Sequence, residues 1–188
     1  DRFYGGEPLL AFDLIKKVVS YAKKLLEGKE VTFNITSNAT LLNDEIIQFF
    51  IREKVQLMVS VDGPEQIHDT CRRYAADGAG TFKTIMNNLN NIKEKYPEYM
   101  DKVHVSMVIN PQNEFDCINS VFVDYDIFNK INVHSAIIDD VYSVEKTSFS
   151  DNYLENQSYQ YFLAYLSRFG RLDNKYVSPL ANEEILAI

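Results

Sequence analysis

The sequence predicts an α/β fold, a partial (β/α) barrel of parallel strands with helices outside and a helical C-terminal segment. Two observations carry this expectation. Segments that alternate with period two regularly succeed segments with helical periodicity, which is the pattern of βαβ units and a parallel sheet. Right-handed crossovers then place the helices outside. The strands are also not uniformly apolar: Thr32, Asn34, Thr36, Ser60, Asp62, Ser106 and Asn110 lie on their polar faces. A doubly wound sheet has both faces under helices and leaves such residues unexplained. A barrel-like sheet turns one face inward, where polar residues near the strand C-termini form a ligand site.

Arg2-Phe3-Tyr4 reads as a short strand. From Leu9 to Leu26, Leu10, Leu14, Val18, Ala22 and Leu25 recur at helical spacing and predict a buried stripe, which Gly28 ends. Val31 to Thr36 alternates, with Val31, Phe33 and Ile35 on one face. Asn43 is placed to cap a short helix whose first turn carries Asp44 and Glu45, favourable against the helix dipole. Its apolar face is Ile46, Ile47, Phe49 and Phe50. Val55 to Val61 is the next strand, followed by a long connection. Phe82, Ile85, Leu89 and Ile92 then mark a third helix. Val103 to Ile109 and Ile131 to Ile138 are further strands, separated by a short helix over Phe115 to Phe122. The last forty or so residues, rich in Tyr and Phe, read as helical, dividing the chain into a core over 1–145 and a helical extension over 146–188.

At 188 residues the chain is long enough for one real core, and 46% hydrophobic with 24% charged residues is ordinary for a globular protein. A net charge of −8 with no Lys/Arg run longer than a pair makes nucleic acid and anionic membrane poor partners. No apolar run approaches the ~20 residues of a membrane span, and no signal segment opens the sequence. The two cysteines, Cys71 and Cys117, belong to no CxxC pair. They form no disulfide framework and no self-sufficient zinc or iron–sulfur site. Both are expected to be buried or incidental thiols, and a reducing cytoplasmic setting is the default. The sequence begins without Met inside a strand, as expected of an internal piece of something longer.

Three strand ends carry the chemistry. They are Gly5-Gly6-Glu7-Pro8, then Thr36-Ser37-Asn38-Ala39-Thr40-Leu41-Leu42, then Ser60-Val61-Asp62-Gly63-Pro64. Singly, each is a turn or cap signal. Together they fall on one edge of a parallel sheet, where α/β folds place their sites. Two glycines allow a tight turn and close approach of a ligand, and Glu7 adds a carboxylate suited to an ammonium group. Glu7 equally suits a helix cap. Asp62 is expected to brace its own Gly-Pro turn. His68 and Asp69 are expected to lock the following loop, and His104 and His134 to be satisfied structural residues.

Downstream lie Glu65-Gln66-Ile67-His68-Asp69-Thr70-Cys71-Arg72-Arg73 and Gly78-Ala79-Gly80-Thr81-Phe82. The succession of GGEP, a TSNxTLL segment, SxDGPxxxHDxxRR and GxGTF resembles the radical S-adenosylmethionine (radical SAM) enzymes. Within them it is most similar to the peptide- and protein-modifying branch, which includes anaerobic sulfatase maturases and thioether-forming maturases. The motifs span Phe3 to Phe82, and the strand–helix order extends the likeness to about residue 140.

The resemblance implies a [4Fe–4S] cluster held by three cysteines and chelated by SAM, which is cleaved to a 5′-deoxyadenosyl radical. It implies that Gly5, Gly6, Glu7 and Pro8 bind the methionyl ammonium and that Ser60 meets the ribose or carboxylate. Asp62 belongs to the same site. Arg72 or Arg73 pairs with the carboxylate, one of them at most reaching it, and Thr36, Ser37 and Asn38 line the pocket. A peptide or protein is the implied substrate.

Two departures stand out. Ala39 replaces the family's Gly, which points to φ below zero there or to slight strain. The three-cysteine loop, whose place is upstream of Asp1, and the later cysteines of auxiliary clusters have no counterpart in this sequence. The chain alone is therefore expected to be inactive. The alternatives are a non-catalytic peptide-binding scaffold of the same fold, or an ordinary (β/α) enzyme using Glu7, Asp62 and Asp139 as acid–base groups. Lack of a paired His or metal-ligand cluster counts against the last.

Overall fold

The computed structural model describes residues 2–138 and 146–182. Five parallel strands form one sheet in the order β1 (Arg2–Phe3), β2 (Phe33–Ser37), β3 (Val55–Ser60), β4 (Val103–Ile109), β5 (Asn132–Ile137). Each connection steps one strand along in the same direction, so right-handed crossovers put the helices on one face. That face holds Phe33, Ile35, Val55, Leu57, Val59, Val105 and Met107, all buried beneath the helices. The opposite face carries the alternate residues in register: Thr36, Met58, His104 and Asn132 in one row, Ser60, Ser106 and His134 in the next. This is the expected partial (β/α) barrel, with a covered apolar face and an open polar one.

The helices are α1 (Phe12–Leu25), α2 (Asp44–Glu53), α3 (Glu65–Cys71), α4 (Phe82–Lys95), α5 (Phe115–Asp124), α6 (Asp151–Arg168) and the short α7 (Pro179–Asn182). Asn43 caps α2 as expected, its Oδ1 accepting from the Ile46 N–H at 3.0 Å. The long connection after β3 contains α3, which the sequence did not reveal. Its seven residues are too few to show a periodic pattern.

The stripe expected to be buried on α1 is corrected. Phe12, Ile15, Val19 and Ala22 face the core, while Leu10, Leu14, Val18 and Leu25 are exposed, Leu25 at 68%. A single-turn 3-10 segment over Pro8–Ala11 rotates the start of the helix so that Leu9, not Leu10, turns inward. Of the expected stripe only Ala22 meets the core.

Ser150 caps α6, and Tyr153 of that helix stacks edge-on with Phe115 of α5 and is buried. Leu180 of α7 joins the same core, so the C-terminal helices pack on the sheet domain. The expected division at residues 145 and 146 falls at the border of 139–145, which with Asp139 lie outside the described residues. Among the described residues no helix is long and apolar enough to cross a membrane.

Candidate ligand site at the strand C-termini

The turn after β1 has two left-handed glycines, Gly5 at φ 103° and Gly6 at φ 53°. A Cβ at either would meet nothing within 4 Å, so the glycines serve the backbone conformation and leave open space above it. Pro8 opens the 3-10 segment that follows. Glu7 does more than cap that segment. Its Oε1 accepts from the Leu9 N–H and the Ser37 hydroxyl, both at 2.9 Å, and its Oε2 accepts from the Asn38 N–H at 2.7 Å. The carboxylate therefore ties the turn after β1 to the end of β2.

Ser37 and Thr36 point to opposite faces of β2, as period two requires. Ser37 is buried, its hydroxyl donating to Glu7 and accepting from the Ala39 N–H, so it braces the turn rather than lining an open pocket. Thr36 is half-buried on the open face. Asn38 folds its Oδ1 onto the Thr40 N–H and hydroxyl, at 3.0 and 2.8 Å. Ala39 is buried and left-handed at φ 59°, so the expectation of a negative φ is corrected and the alternative of strain applies. The turn geometry set by Glu7 and Ser37 holds it there.

At the end of β3, Asp62 does not brace its own turn. Its carboxylate takes the Arg72 fork through Nε to Oδ2 and Nη2 to Oδ1, the latter at 3.0 Å. Oδ1 also accepts from the Val108 N–H of β4 at 2.9 Å. Arg72 is thus oriented over the strand ends while its remaining N–H groups stay available. Arg73, just past the end of α3, turns away, its Nε donating to the Asp69 carbonyl of that helix at 2.6 Å.

Behind Arg72 runs a chain of hydrogen bonds. The Asp62 N–H lies 3.2 Å from Nδ1 of buried His68, and Nε2 lies 3.0 Å from Oγ1 of Thr81. Thr81 itself donates to the Arg72 carbonyl at 3.0 Å. Thr81 must then accept from Nε2–H, which leaves Nδ1 as acceptor and fixes one neutral tautomer. Burial holds the His68 pKa below the ordinary imidazole value, and Arg72 adds to this against the opposing pull of Asp62 and Asp69. Asp69 accepts from the Phe82 N–H at 3.0 Å and so caps α4. His68 and Asp69 therefore lock the loop. Thr81, which sequence reasoning passed over as a motif letter, joins them.

His104 departs from expectation. Its Nδ1 is buried without a hydrogen-bond partner among the described residues. Its register neighbour on β3 is Met58, whose thioether offers little, and the His134 ring is 5.9 Å away, centre to centre. Burial first, then His134 and Lys102, hold the His104 pKa below the ordinary value. Of the two thiols, Cys71 is exposed and Cys117 half-buried.

The C-terminal ends of successive parallel strands thus lie along one edge of the sheet, with the glycine turn after β1 and an oriented guanidinium after β3. The sequence profile of the Radical SAM superfamily matches residues 2–121. The chain belongs to the radical SAM superfamily. This radical SAM chain is 33% identical over 98 residues to the serine-type anaerobic sulfatase-maturating enzyme of Bacteroides thetaiotaomicron, covering 52% of the chain and 23% of that enzyme. It is 31% identical over 99 residues to the cysteine-type anaerobic sulfatase-maturating enzyme of Clostridium novyi, covering 52% and 26%. With the radical SAM cyclopropyl synthase TigE of Paramaledivibacter caminithermalis it shares 26% identity over 124 residues, covering 66% and 24%.

Among solved structures, native anSMEcpe with bound AdoMet and Kp18Cys peptide has the same fold, with a TM-score of 0.70 at 20% identity over 91% of this chain and 48% of that one. The matched stretch is thus about a quarter of the length of these three relatives. Among the described residues, no group of three or more His, Cys, Asp or Glu side chains could hold a metal ion. The iron–sulfur cluster that the superfamily implies therefore finds no ligand set on them.

Proposed function

We propose that this chain is the SAM-binding part of a longer radical SAM enzyme that modifies a peptide or protein side chain. The carrying observation is the Asp62–Arg72 fork, set opposite the Gly5-Gly6 turn across the ends of β1 to β3. A zwitterionic amino acid needs an acceptor-lined turn for its ammonium and a planar donor pair for its carboxylate. Here the carbonyls of Gly5, Gly6 and Glu7 supply the first, and the free edge of Arg72 supplies the second. The Glu7 carboxylate, already taking three donors, acts as the positioning group of the turn. Ser60, Thr36 and Asn38 complete the wall, with Ser60 facing the ribose. SAM supplies the 5′-deoxyadenosyl radical by which enzymes of this superfamily abstract hydrogen.

The peptide substrate class rests on the sulfatase-maturating relatives and on the neighbour that carries a peptide. Ligands for the cluster then come from elsewhere in the longer polypeptide, and the 188-residue chain by itself is inactive. The full-length protein, reconstituted anaerobically with iron and sulfide, should release 5′-deoxyadenosine from SAM under reduction. Release should rise with a Cys- or Ser-containing peptide and fall at least tenfold in Arg72→Gln. Peptide binding without any 5′-deoxyadenosine would reassign the protein as a scaffold of the same fold.

A further inference from the structure

Two histidines of this chain are set in opposite surroundings. His68 is hydrogen-bonded at both ring nitrogens and feels the carboxylates of Asp62 and Asp69. His104 lies half-buried on the open face of β4, its buried Nδ1 without a partner among the described residues. An orphaned acceptor is tolerated better than an orphaned N–H, so the proton of the neutral ring belongs on Nε2. Nε2 is neither buried nor hydrogen-bonded among the described residues. His104 therefore offers an unused donor to the open face.

The groups around that donor are basic. His134 of β5 stands diagonally across, the two ring centres 5.9 Å apart. Burial first, then His134 and Lys102 at the foot of β4, hold the His104 pKa below the ordinary value. No carboxylate is among the charges acting on His104. Its register neighbours, Met58 on β3 and Asn132 on β5, carry no charge. Lys102 makes no ion pair among the described residues. A molecule of net charge −8 thus gathers three basic groups where no acid acts on the central one. A carboxylate arriving there would accept from the His104 Nε2–H and favour the protonated ring.

We infer that His104, His134 and Lys102 receive a carboxylate of the peptide substrate, and that the two histidines determine specificity for it. The distance from the chemistry rests on the reading above, in which Ser60 faces the ribose. His134 shares one row of the sheet with Ser106 and Ser60. Neighbouring strands lie ~4.8 Å apart, which puts His134 about 10 Å from Ser60. An extended peptide covers that span in about three residues. The carboxylate is then an Asp or Glu about three residues from the side chain that loses hydrogen, or the C-terminus of a peptide ending there.

The test uses the full-length reconstituted protein and short fluorescein-labelled peptides with a central Cys or Ser among alanines and glycines. One Glu is moved through both flanks of C-terminally amidated peptides, with Gln in the controls, and a further set ends in a free carboxylate. Anisotropy at pH 6.5, without SAM or reductant, should show about tenfold tighter binding of one carboxylate series than of its neutral control. Preference for the amidated Glu peptides assigns a side chain, and preference for the free acids assigns the chain end. The ratio should fall towards pH 8 as the imidazoles lose their protons. It should also fall at least threefold in His104→Gln, His134→Gln and Lys102→Gln. His134 and Lys102 are exposed, so their variants carry the test if His104→Gln does not fold. No carboxylate preference, or one that survives both a rise in pH and the histidine variants, overturns the site. With SAM and reductant added, KM for 5′-deoxyadenosine release should be lowest with the carboxylate about three residues from the Cys or Ser, and a minimum elsewhere overturns the spacing. Release that fails with every peptide would end the SAM-binding reading, while the anisotropy ratios would still decide the carboxylate site.

Discussion

Asp62 serves three donors on two elements, the Nε and Nη2 of Arg72 and the Val108 N–H. Its side chain and that of Arg72 are mostly shielded, at 14% and 29% exposure, so their pairing is worth more than a surface contact. Asp62→Ala leaves a charged guanidinium and a backbone donor without their acceptor and should cost about 2–4 kcal/mol by urea unfolding. Lys83→Ala, which removes the exposed Glu65 pair, should cost under ~1 kcal/mol by the same assay. Equal losses would show that the fork does not hold the strand ends. Gly80 poses a sharper steric demand, since a Cβ there would sit 1.8 Å from Asp69 Oδ2. Gly80→Ala must expel the carboxylate that caps α4 and should cost about 2–4 kcal/mol. In an Asp69→Ala background the same change should cost less than half as much, and additivity in this double-mutant cycle would refute the mechanism. The positions of the site were legible because GGEP, SNAT and DGP are turn sequences at strand ends. The partnerships were not. Asp62 meets Arg72 only because α3 folds the chain back over β3, and no local pattern announces that.

At the scale of elements, strand positions and the helices with one apolar face could be read directly, since a single period identifies both the element and its buried side. Helix α1 shows where this fails. Two stripes at helical spacing compete on it, and periodicity alone cannot choose between them. The choice is made by the Pro8–Ala11 3-10 segment, which sets the rotation of the helix. Ile15→Ala removes a buried side chain and should cost about 2–5 kcal/mol. Leu14→Ala should change the stability of the 188-residue chain by no more than ~0.5 kcal/mol, because little of its surface is covered. Thermal or urea unfolding of both variants decides which stripe is inner, and a larger loss for Leu14 would reverse the assignment.

For the whole molecule, acid should find its weakest point in histidines that folding keeps neutral. Both His68 and His104 have pKa values held below the ordinary 6.5 by burial first of all. The unfolded chain, with ordinary imidazoles, therefore binds more protons than the folded one as the pH falls below about 6.5. The stabilising contribution is complete above that value and is lost as the pH falls through the folded pKa values. The net charge of −8 works the other way, because protonation relieves the self-repulsion of an acidic molecule. A comparison with a variant separates the two. His68→Gln keeps an acceptor for the Asp62 N–H and a donor for Thr81 but cannot titrate. It should be less stable at pH 7 yet lose less stability than the parent between pH 7 and 5.5, in urea unfolding at fixed ionic strength. Parallel pH profiles for the two proteins would mean that His68 titrates alike folded and unfolded. Burial would then not be what keeps it neutral.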